Sequence, residues 1–259
     1  MYKNIFIGFI TAILVVVIGS AAFNLINAQA AGASNPNIAG PGYGGQGRGA
    51  SAGFGTSGSN NVSNTNLLAI PASDLNTEEE AGLLFMREEE KLARDVYTAL
   101  YASWNLPAFQ NISASEQKHM DEIGLLLTRY NLTDPAQAPG VFTNVQLQKL
   151  YNTLVAQGKL SIGDALKVGG AIEEIDILDL QTRLAQTDNA DIQQVYNNLM
   201  KGSFNHLKAF TNTLASQSGT VYTPQYMTTQ QYQASISTTT GSGSGGGRPS
   251  WAGQAGVNR

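Results

Sequence analysis

The sequence predicts an all-α fold, a four-helix bundle with an extra connecting helix between the second and third bundle helices. Two observations carry this prediction. Apolar residues recur at steps of three and four along most of the segment 67–236, which is the period of one buried helix face. That segment shows no strong strand-period alternation, and its breaks fall at prolines, glycines and helix-capping residues.

The first two predicted helices run over residues 78–103 and 114–130, and Pro107 separates them. Thr77 followed by Glu80 predicts a capping box for the first helix, and Ser113 followed by Glu116 predicts one for the second. Their buried stripes read Leu83, Met86, Glu90, Ala93, Tyr97, Leu100 and Glu116, His119, Met120, Ile123, Leu127, Tyr130.

The remaining predicted helices follow a proline-rich turn. Residues 145–157 form the connecting helix, with Gly158 as its stop signal. Residues 162–185 form the third bundle helix, and the fourth runs from capping residues at 188–191 to residue 216. An extended segment over 221–226 and a short helical turn over 228–235 complete the predicted domain.

The segments outside this domain have a different composition. Residues 1–30 are predicted to be a signal peptide or an uncleaved anchor, because Lys3 precedes an apolar run over 5–18 and small residues flank position 29. Residues 31–66 and 237–259 are rich in Gly and Ser, and such segments bury too little apolar surface to offset their ordering entropy. We therefore predict a disordered arm, a helical domain over 67–236 and a disordered tail. The protein is predicted to be exported, to an extracellular, periplasmic or cell-surface location.

Composition excludes several kinds of site and partner. The chain has no cysteine, so disulfides, thiolate metal sites and covalent haem attachment are excluded. The net charge is −4 and there is no basic stripe, which argues against nucleic acid as a partner. A membrane is a predicted partner only if the N-terminal segment stays uncleaved.

Acidic residues and both histidines of the chain interrupt the apolar stripes. Residues three apart share a helix face. Three pairs are placed in this way: Glu116 with His119, Glu173 with Asp176, and Ser203 with His206. Inward carboxylates and Glu-x-x-His pairs on separate helices are typical of bundles that bind two metal ions. The predicted metal ligands are Glu90, Glu116, His119, Glu173, Asp176 and His206.

A metal is inferred because buried carboxylates without cations are very costly. The sequence offers few basic partners for them: Arg94 is the one obvious candidate on the first helix, and Lys91 is expected on its exposed side. The donor set is rich in oxygen and poor in nitrogen, which suits iron or manganese and is compatible with zinc. We predict one or two such ions per chain.

Competing interpretations exist for these residues. Glu90 ends an acidic run that solvent could surround, and Glu116 could serve only as part of a capping box. A single core histidine is more often a hydrogen-bonded structural residue than a ligand, and Asn205 is a candidate partner for His206. Two further acids compete for the inward positions: Glu174 with Glu173, and Asp179 with Asp176.

Four segments, over 87–97, 115–120, 172–180 and 202–207, resemble the helices of a ferritin-like family. This is the exported family catalogued as domain of unknown function 2202, and the resemblance extends over about 75–232. It implies a ferritin-like bundle and names no reaction.

A more distant resemblance is to rubrerythrin-type di-iron proteins. It implies carboxylate ligands on the first and third helices and Glu-x-x-His pairs on the second and last. Ser203 departs from this pattern because it stands where the final pair has glutamate. The departure implies an open coordination position at one ion. The missing cysteines exclude a rubredoxin-like centre, so electrons would come from another source.

These observations support two hypotheses about function. The first is a di-iron-type oxidoreductase outside the cytoplasm, which acts on oxygen, peroxide or ferrous ions. Tyr97 and Tyr196 are candidate relays in it, with core packing as the simpler interpretation of both. The second is a non-enzymatic cell-surface or extracellular module, whose helical head is tethered or assembled by the two arms. A homo-oligomer or a cell-surface partner would accompany this second function.

Overall fold

The structure is a computed structural model that describes residue 67 and residues 69–238 of the 259-residue chain. Six helices are assigned from residue 77 onwards: α1 (Thr77–Trp104), α2 (Pro107–Arg129), α3 (Val145–Gly158), α4 (Ile162–Gln186), α5 (Ala190–Ser218) and α6 (Thr229–Ser237). These described residues include no strand, so the predicted all-α bundle is confirmed.

Helices α1, α2, α4 and α5 form the bundle as two helical hairpins packed on each other. Only Asn105 and Leu106 separate α1 from α2, and only residues 187–189 separate α4 from α5, so each pair is antiparallel. Between the hairpins, Ser115 of α2 lies beside His206 of α5, and Tyr130 bonds Asp191. Residue numbers therefore increase along α2 in the direction in which they decrease along α5, so these two helices are antiparallel.

Because α2 and α5 are antiparallel, and α5 and α4 are antiparallel, α2 runs parallel to α4. The chain must then return along the length of the bundle between residues 130 and 161, and α3 lies in this crossover. Helix α3 packs on α1 and α4. Glu88 of α1 accepts hydrogen bonds from the backbone N–H groups of Thr143 and Asn144, directly before α3 begins.

Lys91 also holds the crossover in place. The sequence predicted this residue on the exposed side of the first helix, and that prediction is wrong. Its side chain is fully buried, its Nζ lies 2.6 Å from Asp95 Oδ2, and it donates to the carbonyl oxygens of Ala138 and Val141. The ammonium also lies 4.1 Å from the ring centre of Phe142, a cation–π contact. A lysine in an acidic run therefore lies inside the protein because a distant loop supplies its partners.

Both predicted capping boxes are wrong, and one helix begins earlier than predicted. Helix α1 is capped by Asn76, whose side chain accepts from the Glu79 N–H while Glu79 bonds back to the Asn76 N–H. Thr77 and Glu80 therefore do not form the capping box. Helix α2 begins at Pro107, seven residues before the predicted start, because proline suits the first helical turn, where no N–H partner is needed.

The early start of α2 also removes the competing interpretation of Glu116. Ser113 and Glu116 lie in the helix interior, where there is no N-terminus for them to cap. Glu116 is 2% exposed. A buried carboxylate with no capping role needs another partner.

A strap over residues 219–228 links α5 to α6 and is held by Glu174. The Glu174 carboxylate accepts from the Tyr222 hydroxyl and from the backbone N–H groups of Gln225, Tyr226 and Met227. Five hydrogen bonds are formed if both oxygens facing Gln225 are counted. The strap is thereby fixed to α4.

The predicted signal peptide or anchor over 1–30 and the predicted arm over 31–66 lie outside the described residues, and so does the predicted tail from residue 239 onwards. Within the part of the chain that is described, no helix is both long and apolar enough to cross a membrane.

Candidate metal centre

Five of the six predicted ligands come together at the centre of the bundle, and all four bundle helices contribute. Glu90 comes from α1, Glu116 and His119 from α2, Glu173 from α4 and His206 from α5. The three carboxylates are each 2% exposed and the two imidazoles 7%. The histidines therefore lie on the side of the cluster nearest to solvent.

Glu116 joins the two histidines. Its Oε2 lies 2.8 Å from His119 Nδ1, and its Oε1 lies 2.8 Å from His206 Nδ1. The two imidazole rings are stacked, with centres 5.5 Å apart and planes 28° from parallel. One carboxylate is thus shared between two imidazole nitrogens.

The remaining carboxylates, Glu90 and Glu173, each lie beside one of the two histidines. Glu90 Oε2 lies 3.1 Å from His119 Nδ1, and Glu173 Oε2 lies 3.5 Å from His206 Nδ1. Two groups of three donors result, Glu90–Glu116–His119 and Glu116–Glu173–His206, and within each group the donor atoms lie within 4.8 Å of one another. The groups overlap at Glu116 alone.

Several buried atoms of the cluster make no hydrogen bond. They are Glu90 Oε1, Glu116 Oε1 and His206 Nδ1. Buried polar atoms without partners are rare because desolvation is then uncompensated. The last two form an ion pair at 2.8 Å that lacks hydrogen-bond geometry, an arrangement that would also suit two ligands of one cation. The residues present therefore fit a metal.

Asp176, the sixth predicted ligand, belongs to neither group. Its Oδ2 accepts a short hydrogen bond from the hydroxyl of Ser203, while Oδ1 is buried without a partner. Ser203 also bonds the Leu199 carbonyl oxygen, 2.9 Å away. The serine that stands in place of the last glutamate is thus occupied by Asp176 and by its own helix.

The competing acids have other partners. Glu174 holds the strap, so Glu173 alone of that pair faces the cluster. Asp179 shares a hydrogen bond with Glu89, a buried acid that the sequence prediction overlooked. Glu89 is the middle residue of the acidic run 88–90, so nothing in the local pattern separates it from a solvated residue. Arg94 pairs with Asp95 and Gln117 instead of Glu90.

Tyr97 supports the cluster from α1. Its hydroxyl donates to Glu173 Oε1 over 2.6 Å, and its ring packs with Phe109 and Phe210, whose centres lie 6.3 and 5.0 Å away. Tyr196 is buried, but its hydroxyl has no hydrogen-bond partner. Of the two candidate relay tyrosines, only Tyr97 bonds a member of the cluster.

Burial and close charges shift the protonation of the cluster. Burial raises the pKa of Glu90 to about 7, against the opposing effect of His119. Burial also works to raise the pKa of Glu116, but His206 and His119 outweigh it and hold that pKa well below its usual range. Burial works to lower the pKa of His206, yet Glu116 and Glu173 raise it to about 10. Without a metal, protons therefore act as the counter-charge of the centre.

Residues 79–239 match the family described as an uncharacterized protein domain, DUF2202. The chain belongs to this family. The DUF2202 domain spans all six helices almost completely, so the cluster lies inside it.

A relative of this chain is the uncharacterized protein MJ0754 of Methanocaldococcus jannaschii. It is 49% identical over 174 residues, which cover 66% of this chain and 94% of the relative. The crystal structure of hypothetical protein MJ0754 from Methanococcus jannaschii is similar to this fold with a TM-score of 0.64, and the match covers 66% of this chain and 99% of that one.

Proposed function

We propose that this protein binds two metal ions in a carboxylate-bridged centre, with Glu116 as the bridge. The observation that carries the proposal is the position of Glu116, whose two oxygens each lie 2.8 Å from Nδ1 of a different histidine. Glu90 and His119 would complete the ligands of one ion, and Glu173 and His206 those of the other. Asp176, which accepts a hydrogen bond from Ser203, is proposed as a neighbour of the centre.

The donor chemistry supports iron or manganese. Three carboxylates and two imidazoles form a set rich in oxygen, which suits these metals and is compatible with zinc. Their desolvation would be hard to compensate without cations, because no Lys or Arg side chain is paired with Glu90, Glu116 or Glu173 among the described ion pairs. Two cations would supply that compensation.

Bound iron or manganese would supply redox chemistry toward oxygen, peroxide or ferrous ions, and we propose an oxidoreductase of this class. The chain's own residues would prepare the site. Tyr97 orients Glu173 through its hydroxyl, and the rings of Phe109 and Phe210 exclude water behind it. The two histidines form the side nearest to solvent, where a small substrate would arrive.

We also propose that the reaction takes place outside the cytoplasm. The support is in the sequence: Lys3 precedes an apolar run, and a small-x-small site follows at 28–30. The absence of cysteine means that an exported bundle would depend on its core and on bound metal for stability.

Elemental analysis after anaerobic loading with iron, manganese and zinc in competition tests the proposal. We expect about two ions per chain, because each oxygen of the shared carboxylate would bind a different ion. His119→Ala and His206→Ala should each lower the content, whereas Glu80→Gln, an exposed change on α1, should leave it unchanged. A folded protein that takes up no metal would refute the proposal.

An alternative is a non-enzymatic cell-surface or extracellular module. The family match leaves residues 1–78 and 240–259 outside it, and these contain the Gly- and Ser-rich segments. Such arms could tether or assemble a rigid helical head. Under this alternative, a Glu116→Ala, His119→Ala double variant would keep its fold and its assembly state.

A further inference from the structure

The proposed centre uses Nδ1 of both histidines, and this choice needs a physical cause. Histidine can bind a metal through either ring nitrogen, and the contact made by the other nitrogen decides which one is used. We infer that Ser115 and Gly202 are positioning residues that fix His206 and His119 with Nδ1 toward Glu116. This inference rests on the proposed metal centre and assigns a role to two residues outside it.

Ser115 holds His206 from the opposite helix. Its Oγ lies 3.0 Å from His206 Nε2, while His206 Nδ1 lies 2.8 Å from Glu116 Oε1. For Nδ1 to carry a free lone pair, the ring proton must be on Nε2, and Ser115 is placed to accept it. A flipped ring would turn carbon atoms toward both partners. The serine hydroxyl therefore favours the orientation that the centre requires.

Gly202 provides the space for His119. A Cβ atom at position 202 would lie 2.6 Å from His119 Cε1 and closer still to Nε2. Real Cβ atoms do not approach other atoms so closely, so an alanine would push the imidazole aside. The backbone of α5 at this glycine thus holds the Nε2 edge of His119, and the Nδ1 edge faces Glu116 and Glu90.

The two arrangements are reciprocal. On α2, Ser115 precedes His119 by four residues, and on α5, Gly202 precedes His206 by four. Residues four apart lie one above the other on a helix face. On α2, Ser115 contacts the histidine of α5 and is followed one turn later by His119. On α5, Gly202 contacts the histidine of α2 and is followed one turn later by His206. Ser115 also directly precedes the shared ligand Glu116.

Cobalt(II) titration of the full chain, followed by its visible absorption and by elemental analysis, tests the role of Ser115. We expect Ser115→Ala to weaken one of the two ions by about 10–100-fold, the usual effect of losing a partner of a metal-bound histidine. Ser115→Thr keeps a hydroxyl and should restore the affinity. The thermal midpoint of the metal-free Ser115→Ala protein should fall only slightly, because it loses one hydrogen bond to His206, and Ser115→Thr should restore it. A large decrease in both variants would indicate a general packing defect and overturn the positioning role.

Gly202→Ala tests the role of Gly202 in positioning His119, and Gly124→Ala is its matched control. Alanine favours helix over glycine at both positions. At 124 the nearest atoms to a new Cβ are 3.7 Å away on Arg87, so this variant should bind two ions. Gly202→Ala should bind one, with the cobalt absorption of the other ion lost.

The outcomes separate the two proposals. If wild-type protein binds two ions and Ser115→Ala and Gly202→Ala match it in affinity and stoichiometry, the positioning roles are overturned and the dinuclear centre stands. If the wild-type protein binds no cobalt, iron or manganese, both proposals fall. Because Ser115 is only half-buried, Ser115→Ala keeps the inference testable even if Gly202→Ala does not fold.

Discussion

Replacing Glu116 by glutamine would test the centre most directly, because glutamine keeps the volume and removes the charge. In the metal-free protein at neutral pH, Glu116 is ionised and His206 is protonated, since the pKa of the first is held low and that of the second is raised to about 10. Glu116→Gln would remove the negative charge that both imidazoles share, whose oxygens lie 2.8 Å from each Nδ1, and would leave at most one acceptor for the two rings.

The magnitude follows from the burial of this group. Removing one partner of a buried ion pair costs about 3–5 kcal/mol. For a domain of this size, each kcal/mol lowers the thermal midpoint by about 2–4 °C, so we expect a decrease of about 6–20 °C in the metal-free protein. Metal content should fall below one ion per chain, because both ions would lose the bridge.

Thermal unfolding followed by circular dichroism, with chelator and with added metal, measures both effects. Glu122→Gln is the control: this half-buried acid lies two turns along α2 and receives one long bond of 3.4 Å from Asn198. It should change stability by no more than about 0.5 kcal/mol. A Glu116→Gln protein with an unchanged midpoint and two bound ions would refute the bridging role.

Three further predictions concern the strap, the pH dependence and the core. Glu174→Ala should destabilise the protein by about 3 kcal/mol, because the Tyr222 hydroxyl and the backbone N–H groups of the strap lose a charged acceptor. It should also speed hydrogen exchange at residues 225–227 without changing metal content, and unchanged exchange would contradict this. Metal affinity should fall as pH decreases, because the metal must displace the proton from His206, whose pKa is raised to about 10. Calorimetry in buffers of different ionisation enthalpy should show that protons are released on metal binding. Binding without proton release would argue against His206 as a ligand. Gly169→Ala should cost about 1–3 kcal/mol, because its Cβ would lie 2.7 Å from the Phe210 ring; Gly163→Ala, with 3.7 Å to Ser161 Oγ, is the control in denaturant unfolding.

The sequence predicted the bundle and five clustered residues because both depend on helix periodicity. Once Glu90, Glu116 and His206 are assigned to apolar stripes, packing those stripes together brings them close. The period is a local property, so it can be read without knowing which helices become neighbours.

The errors have causes beyond the local sequence. Thr77 and Asn76 both suit a helix cap, and the choice between them depends on one residue of register. Lys91 is buried because Ala138 and Val141, nearly fifty positions later, supply its acceptors. The hydrogen bond between Asp176 and Ser203 was not predictable either, because spacing within one helix does not specify contacts between helices. Asp176 as a metal ligand remains a prediction.

The turn Glu88-Glu89-Glu90-Lys91 has one further consequence. Its four charged side chains are only 4%, 5%, 2% and 0% exposed, and they point respectively at the crossover, at Asp179, at His119 and at Asp95. The partners of this turn come from α2, α4 and the crossover as well as from α1 itself, so all of these elements must be in place before the four charges are compensated. A folding intermediate that lacked α2, α4 or the crossover would leave at least one of these charges without its native partner. The turn therefore links the elements into a single cooperative unit, and we expect the domain to unfold in one transition.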